Sequence, residues 1–172
     1  LDPSLVMTAP VTARLPAADP RVLLQPAPDP AWLAGHAIAS DTPTPRWPIH
    51  AHMLRRIRLP AAFATLRQDD GPPLAWGLAV AERGMVGLFD IVTATAARRA
   101  GAGRALVTTL LDWARTQGAH TAYLQVTATN APALRLYEGL GFREAFRYHY
   151  RIAPPATAGA ASALRRTMVR ST

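Results

Sequence analysis

The chain has 172 residues, 49% of them hydrophobic and 17% charged, which is enough for one domain with a real core and too few for two of ordinary size. The formal net charge is +8, every basic residue is arginine, and the lack of cysteine excludes disulfides, thiolate metal sites and a cysteine nucleophile. No apolar run approaches the ~20 residues that span a bilayer, and pairs such as Arg55-Arg56, Arg98-Arg99 and Arg165-Arg166 lack the interleaved aromatics of a nucleic-acid face.

Neither membrane nor nucleic acid is therefore expected as a partner, and a polyanionic small ligand or an acidic substrate accounts for the charge. The amino terminus lacks the basic, apolar, small-residue order of a signal peptide, so a cytoplasmic location is the default expectation. A chain that starts at Leu1 is read as lacking whatever preceded it.

Residues 1–30 are rich in proline and alanine, with strand-like patches at Leu5-Val6-Met7 and Val22-Leu23-Leu24-Gln25. Asp29 followed by Pro30 predicts a capped helix that runs to about Ser40. A proline-rich loop, Asp41 to Pro48, leads to a second helix from Ile49 to Arg58, carried by the spacing of Ile49, Met53, Leu54 and Ile57 and stopped by Pro60. Ala62 to Arg67 and Leu74 to Glu82 read as strands joined through the turn residues Asp69-Asp70-Gly71-Pro72. A third strand, Met85 to Thr93, is apolar on both faces and should lie centrally in a sheet.

Then comes Arg98-Arg99-Ala100-Gly101-Ala102-Gly103-Arg104. A strand, a glycine turn and a helix start make a phosphate cradle: glycines let the backbone approach an anion, the unpaired amides of the first helical turn point at it, and the helix dipole adds positive charge. The helix places Leu106, Leu110, Trp113 and Ala114 on one stripe and ends at Gly118. Thr121 to Val126 is a buried strand, Asn130 opens a helix that closes at Gly141, and Phe142 to Ile152 alternates like a last strand. Residues 153–172 read as a mobile tail.

The order of elements, with Leu88-Phe89-Asp90-Ile91-Val92-Thr93 before the turn, Arg98-x-x-Gly101-x-Gly103 at it, and Asn130-x-x-Ala133-x-x-Leu136-Tyr137-x-x-x-Gly141-Phe142 after it, resembles the GNAT superfamily of acetyl-CoA-dependent N-acetyltransferases. The likeness covers about residues 21 to 151. It implies an α/β fold of six to seven mostly antiparallel strands, splayed at the centre, with four helices. It implies acetyl-CoA as co-substrate and an amine-bearing small molecule as acceptor, possible homodimerisation being left open. Residues 21–152 would be the acetyltransferase domain. The ending Arg147-Tyr148-His149-Tyr150-Arg151 resembles the C-terminal half of tandem GNAT proteins, which would make residues 1–20 an extension left from a preceding copy.

The resemblance also implies site roles. Backbone groups of Ile91, Val92 and Thr93 would pair with the pantetheine arm. Arg98, Arg99, Ala100, Gly101, Ala102 and Gly103 would wrap the pyrophosphate, with Arg104 as a further cation. Asn130 would hold the cofactor arm at the cleft mouth, and Tyr137 would be the general acid. A phenol suits that task because an amine attacking the thioester expels a thiolate that needs a proton. The alternative for Tyr137 is a ring packed at a helix end.

Asp90 is the one acid in an apolar strand, and burying it unpaired is expensive. Either it receives or orients the substrate ammonium, or it is a paired carboxylate that braces the sheet. Glu82 is a second, weaker candidate for the base, read first as a solvated turn charge, and Glu138 reads as solvent-facing. No histidine pair has metal-ligand spacing with a supporting acid, so no metal site is expected. His50, His52, Tyr148 and His149 are either acceptor-pocket groups or ordinary surface residues.

The sequence departs from the GNAT pattern at Ala94-Thr95-Ala96, where a proline is usual, and at Ala100 and Ala102, which replace bulkier residues. The usual last strand is also missing from its place, leaving Leu164 to Arg170 or the Leu5-Val6-Met7 patch to supply it. An acyl-CoA-binding module without turnover is the competing function. A dinucleotide-binding oxidoreductase fails for want of a third glycine and of an acid after Gln125-Val126-Thr127. Within the transferase reading, an arginine-rich cleft suits an acidic acceptor such as an amino acid.

Overall fold

The computed structural model describes residues 3–12, 17–68 and 71–149. Seven strands, β1 (Ser4–Pro10), β2 (Val22–Gln25), β3 (Ala61–Arg67), β4 (Pro73–Glu82), β5 (Met85–Thr93), β6 (Thr121–Thr127) and β7 (Arg143–Tyr148), make one sheet in the order β2-β3-β4-β5-β6-β1-β7. Its pairings are antiparallel except that of β5 with β6. Helices α1 (Pro30–Ala39), α2 (Trp47–Arg55), α3 (Ala102–Thr116) and α4 (Ala131–Glu138) complete it. Among the described residues no helix is long and apolar enough to cross a membrane.

Period-two alternation along the strands decides which helix covers which face. Ala62, Ala64 and Leu66 of β3, Ala75 and Ala79 of β4, and Val86 and Leu88 of β5 join Leu106, Val107 and Leu110 of α3 in one core. The alternate residues Phe63, Trp76 and Leu78 meet Trp32 of α1 and Leu54 of α2 in a second. Small residues on the first face let the long helix lie close, and large ones on the second reach up to two shorter helices. Trp32 Nε1 donates to the Ala64 carbonyl at 3.0 Å, which ties α1 to β3.

Local chemistry sets the helix starts. Asp29 accepts from the Trp32 amide at 2.6 Å with Pro30 behind it. Helix α2 begins at Trp47, two residues before the spacing predicts, because Pro48 falls in the first turn where no amide hydrogen is needed. A 3₁₀ turn, Thr44–Arg46, precedes it inside the segment read as loop.

The seventh strand comes from the Leu5-Val6-Met7 patch. Strand β1 lies between β6 and β7, with Met7 opposite Leu124 on one side and Glu144 on the other. Leu5, Met7 and Ala9 alternate into the α3 core, so residues 4–10, set apart by sequence as an extension, form an interior strand of the same sheet. The other candidate source, Leu164 to Arg170, lies outside the described residues, as do the tail and the end of the last strand beyond His149. Within the described residues the last strand starts one residue later than its alternation predicts: Phe142 is fully buried ahead of it, and β7 is a largely exposed edge.

Strand β5 is central, as its apolar run predicts, yet only its first half is buried. It pairs with β6 from Met85 to Leu88, opposite Thr121 to Leu124; beyond that point β6 continues on β1 alone and the two parallel strands part. On the other side the register with β4 shifts, so that Asp90 and Ile91 together oppose Gly77. Asp90 adopts φ 52°, a left-handed conformation that aspartate tolerates better than most side chains.

This extra residue inverts the alternation. Leu88 before the bulge and Ile91 after it both face α3, while Val92 faces α1 and α2. In a regular strand Asp90 would share the parity of Val86 and Leu88 and point into the apolar core. The bulge turns it to the opposite face instead. The close approach leaves little room at Gly77, where a Cβ would lie 2.6 Å from Ile91 Cδ1 and 3.0 Å from Leu106 Cδ2 and make these packed side chains shift. Gly77→Ala should therefore cost about 1–3 kcal/mol of stability by overpacking, seen as a lower urea midpoint; an unchanged midpoint would mean that the bulge accommodates the methyl group.

Candidate active site

The segment after β5 forms a 3₁₀ turn, Thr95–Ala97, and reaches α3 through Arg99 at φ 63° and Gly101 at φ 81°. Gly101 is the N-cap of α3 and no side chain caps the first turn, whose first intrahelical bond runs from the Ala105 amide to the Gly101 carbonyl. The amides at the head of α3, together with the helix dipole, are therefore available to an anion.

A groove of about 650 Å³ opens there, between the end of β5 and helix α4. Ile91, Val92, Thr93, Arg98, Arg99, Gly101, Ala102, Gly103, Arg104, Asn130 and Tyr137 all line it. Of the residues singled out from sequence, Ala100 is exposed and outside the lining, and Asp90 lies in the adjoining space.

Several of these side chains already have structural duties. Arg104 donates to the Gly139 carbonyl at 3.3 Å, joining the head of α3 to the end of α4. Asn130 caps α4 by accepting from the Ala133 amide at 3.3 Å. Tyr137 is 6% exposed and packs edge-to-face on Phe142, with ring centroids 5.8 Å apart. Burial pushes its phenol up to about 12, so the hydroxyl keeps its proton at neutral pH.

A second cavity, of about 720 Å³, shares Ile91, Val92 and Arg98 with this groove and extends to His36, His50 and Asp90. His50 Nε2 donates to Asp90 Oδ2 at 2.9 Å, and His36 Nε2 lies 4.0 Å from Oδ1. His36 stacks on Trp32 with the rings 2° from parallel, and its buried Nδ1 has no hydrogen-bond partner. Desolvation holds the His36 pKa below the ordinary histidine value; the nearby Asp90 charge opposes that and His50 adds to it. Asp90 thus has both a partner and a place on a cavity wall.

Among the histidines, sequence spacing passed over His36. The available signal was that it is the one titratable side chain in an otherwise apolar helix, four residues from Trp32. Of the residues left between pocket and surface, His50 lines the cavity. His52 instead accepts from Arg56, and Tyr148 donates to Gln125 Oε1 at 2.6 Å, while His149 is exposed.

Residues 2–151 match the family described as "Probable histone acetyltransferase Rv0428c C-terminal". The chain belongs to this GNAT N-acetyltransferase family. It is 41% identical over 69 residues to "Uncharacterized N-acetyltransferase YobR" of Bacillus subtilis, and 47% identical over 58 residues to the "[Ribosomal protein bS18]-alanine N-acetyltransferase" of Escherichia coli. Those matches take in 40% and 34% of this chain, and 28% and 39% of the two relatives, so well under half of each relative's length is spanned.

Solved structures share the fold. A GCN5-related N-acetyltransferase from Sphaerobacter thermophilus superposes with a TM-score of 0.69 at 19% identity, over 86% of this chain and 50% of that one. The ribosomal-protein-S18-alanine N-acetyltransferase of Escherichia coli superposes with a TM-score of 0.58 at 25% identity, over 73% and 79%. The parting of β5 from β6 therefore sits in a GNAT sheet, as the sequence resemblance implied.

The buried tyrosine of this GNAT domain carries a stability signature. Because the folded pKa lies above the unfolded value of 10, the contribution of Tyr137 is fully present below pH 10 and is lost as pH rises toward about 12. Denaturant titrations should show a loss of roughly 2–3 kcal/mol across that window beyond the loss in Tyr137→Phe; parallel curves for the two proteins would contradict a buried, neutral phenol.

Proposed function

We propose that this domain transfers acetyl from acetyl-CoA to a primary amine by direct attack, with Tyr137 as general acid and Asp90, held by His50, as the group that receives the ammonium. The observation that carries this reading is the continuity of the two cavities: the groove with the uncapped α3 amides and Tyr137 meets, at Ile91 and Val92, the cavity that holds Asp90 and His50.

The residues present fit a coenzyme A thioester. The α3 amides, Arg98 and Arg99 offer an anion site for the diphosphate. The half-exposed backbone of Ile91 to Thr93, left by β6, is free to pair with an extended arm as another strand would. Gly103 lies against Leu136 and Thr93, with a Cβ position 3.3 and 3.4 Å from their side chains, so a larger residue would press on Leu136 at the groove wall.

In the reaction, Asp90 and His50 take one proton from the acceptor ammonium and leave the nitrogen lone pair free. The nitrogen–carbon bond forms as the carbon–sulfur bond breaks, and Tyr137 gives its proton to the departing sulfur. The second nitrogen proton leaves through the Asp90–His50 pair, and Tyr137 regains a proton from solvent. The net products are an N-acetyl amide, a free thiol and one proton.

Acetyl-CoA-dependent release of thiol in the presence of pooled amines tests the activity. Tyr137→Phe should lower kcat by about 10²–10⁴-fold with coenzyme A affinity kept, and an unchanged kcat would remove Tyr137 from the chemistry. Asp90→Asn keeps the tolerance for φ 52° and removes the charge. It should cut kcat/KM for the amine by about 10²-fold or more while coenzyme A binding persists; wild-type kcat/KM in that variant would return Asp90 to a purely bracing role.

A further inference from the structure

Resting on the transferase reading, we propose that the acceptor is a small primary amine carried on an aromatic or branched apolar body, and that it enters through a third cavity on the side of Asp90 away from the donor groove. That cavity holds about 580 Å³ between α2 and the first half of β5. Its walls are Met53, Leu54, Leu78, Met85, Phe89 and Tyr123, and His50 and Asp90 line it where it meets the bulge. Such a volume, apolar walls and few convergent polar groups are the features of a small-molecule site.

The direction follows from β5. Donor-groove residues occupy positions 91 to 93 of that strand, and the third cavity occupies positions 85 and 89, with Asp90 between them. Two substrates entering from opposite ends of one strand meet at the bulge. The cavity then offers a carboxylate to an amine at the bulge and apolar walls to the body that carries it.

The walls select further. Phe89 and Tyr123 stand edge-to-face, with centroids 6.0 Å apart, and Met53 and Met85 add polarizable sulfur that favours aromatic contact. Met53 is 63% exposed, Met85 41% and Phe89 36%, so apolar surface that an aromatic body would cover stands open to water.

At the rim, Glu82 and Arg83 are 3.8 Å apart and offset each other, leaving no net charge to draw a second carboxylate or ammonium. Of the arginines that suggest an acidic acceptor, Arg99 and Arg104 line the donor groove, Arg98 lines that groove and the second cavity, and none of the three lines the third. A polyamine would find apolar walls for its second ammonium and, at the rim, one carboxylate that Arg83 already offsets.

Calorimetric titration of the coenzyme A-saturated protein with tryptamine, putrescine and glutamate, in parallel with thiol release from acetyl-CoA, tests this. Tryptamine should bind at least tenfold more tightly than the other two. Met53→Glu should weaken tryptamine at least tenfold without changing coenzyme A affinity, whereas Ile38→Glu, on an exposed apolar residue outside the cavity, should leave both unchanged. Putrescine or glutamate binding or reacting as well as tryptamine would overturn the substrate class while leaving acetyl transfer standing. Tryptamine bound in a Met53-dependent way without thiol release would support the cavity assignment and overturn the transferase reading. Failure of tryptamine to bind would overturn the inference.

Discussion

A single extra residue in β5 governs the site. Asp90 and Ile91 against Gly77 bend the strand at the point where β6 leaves it, and the bend changes which face each later residue meets. Ile91 goes to the α3 core, Val92 to the α1 side, and the Asp90 carboxylate comes out of hydrocarbon to meet His50. A left-handed backbone at a non-glycine residue is unfavourable in isolation, and here packing on both sides holds it in place. Gly77 leaves the room, Ile91 fills it, and the hydrogen bond to His50 satisfies the charge.

Where β5 and β6 part, β6 is held in the sheet by strand β1. In a sheet where β6 kept β5 as its neighbour along its full length, the backbone of Ile91 to Thr93 would be spent on ladder bonds. Strand β6 keeps β1 on its other edge along its whole length, from Thr121 opposite Pro10 to Thr127 opposite Ser4, while its β5 edge is paired only from Thr121 to Leu124. Seven residues at the beginning of the chain thus keep β6 in the sheet beyond the point where β5 leaves it. The cost of unpaired backbone is lowest when a ligand replaces the missing strand, which is why an open splay in a buried sheet points to binding.

The electrostatics divide along the same line. Cationic and dipolar groups gather where β5 ends and α3 starts, and the one carboxylate of the strand sits at the bend. Burial keeps Tyr137 protonated on the donor side and His36 neutral behind Asp90. The middle of the domain therefore sets a buried phenol that holds its proton and a carboxylate hydrogen-bonded to an imidazole in adjoining cavities, which supports the proposed proton transfers.

Much of this was legible in the residues. The order of elements, the Arg98–Gly103 turn, the Asn130 cap, the helix at Tyr137 and the central place of β5 follow from hydrophobic period, glycine and capping chemistry, which act over a few residues and are written locally. The apolar run of β5 did not reveal that half of it faces a groove, because burial on the β6 side depends on a partner more than thirty residues away. The strand at Leu5 to Met7 was visible as a strand, but its insertion between β6 and β7 is a long-range pairing that its own pattern does not specify. Asp90 announced itself as an acid in apolar company; its partner, the neighbouring His36 and the apolar chamber beyond them were decided only when the bulge and two helices from distant parts of the chain came together. Sequence alone set which segments are helix and strand and where the glycine turn falls, since those depend on near neighbours, and tertiary structure alone set which way each side chain at the bend points.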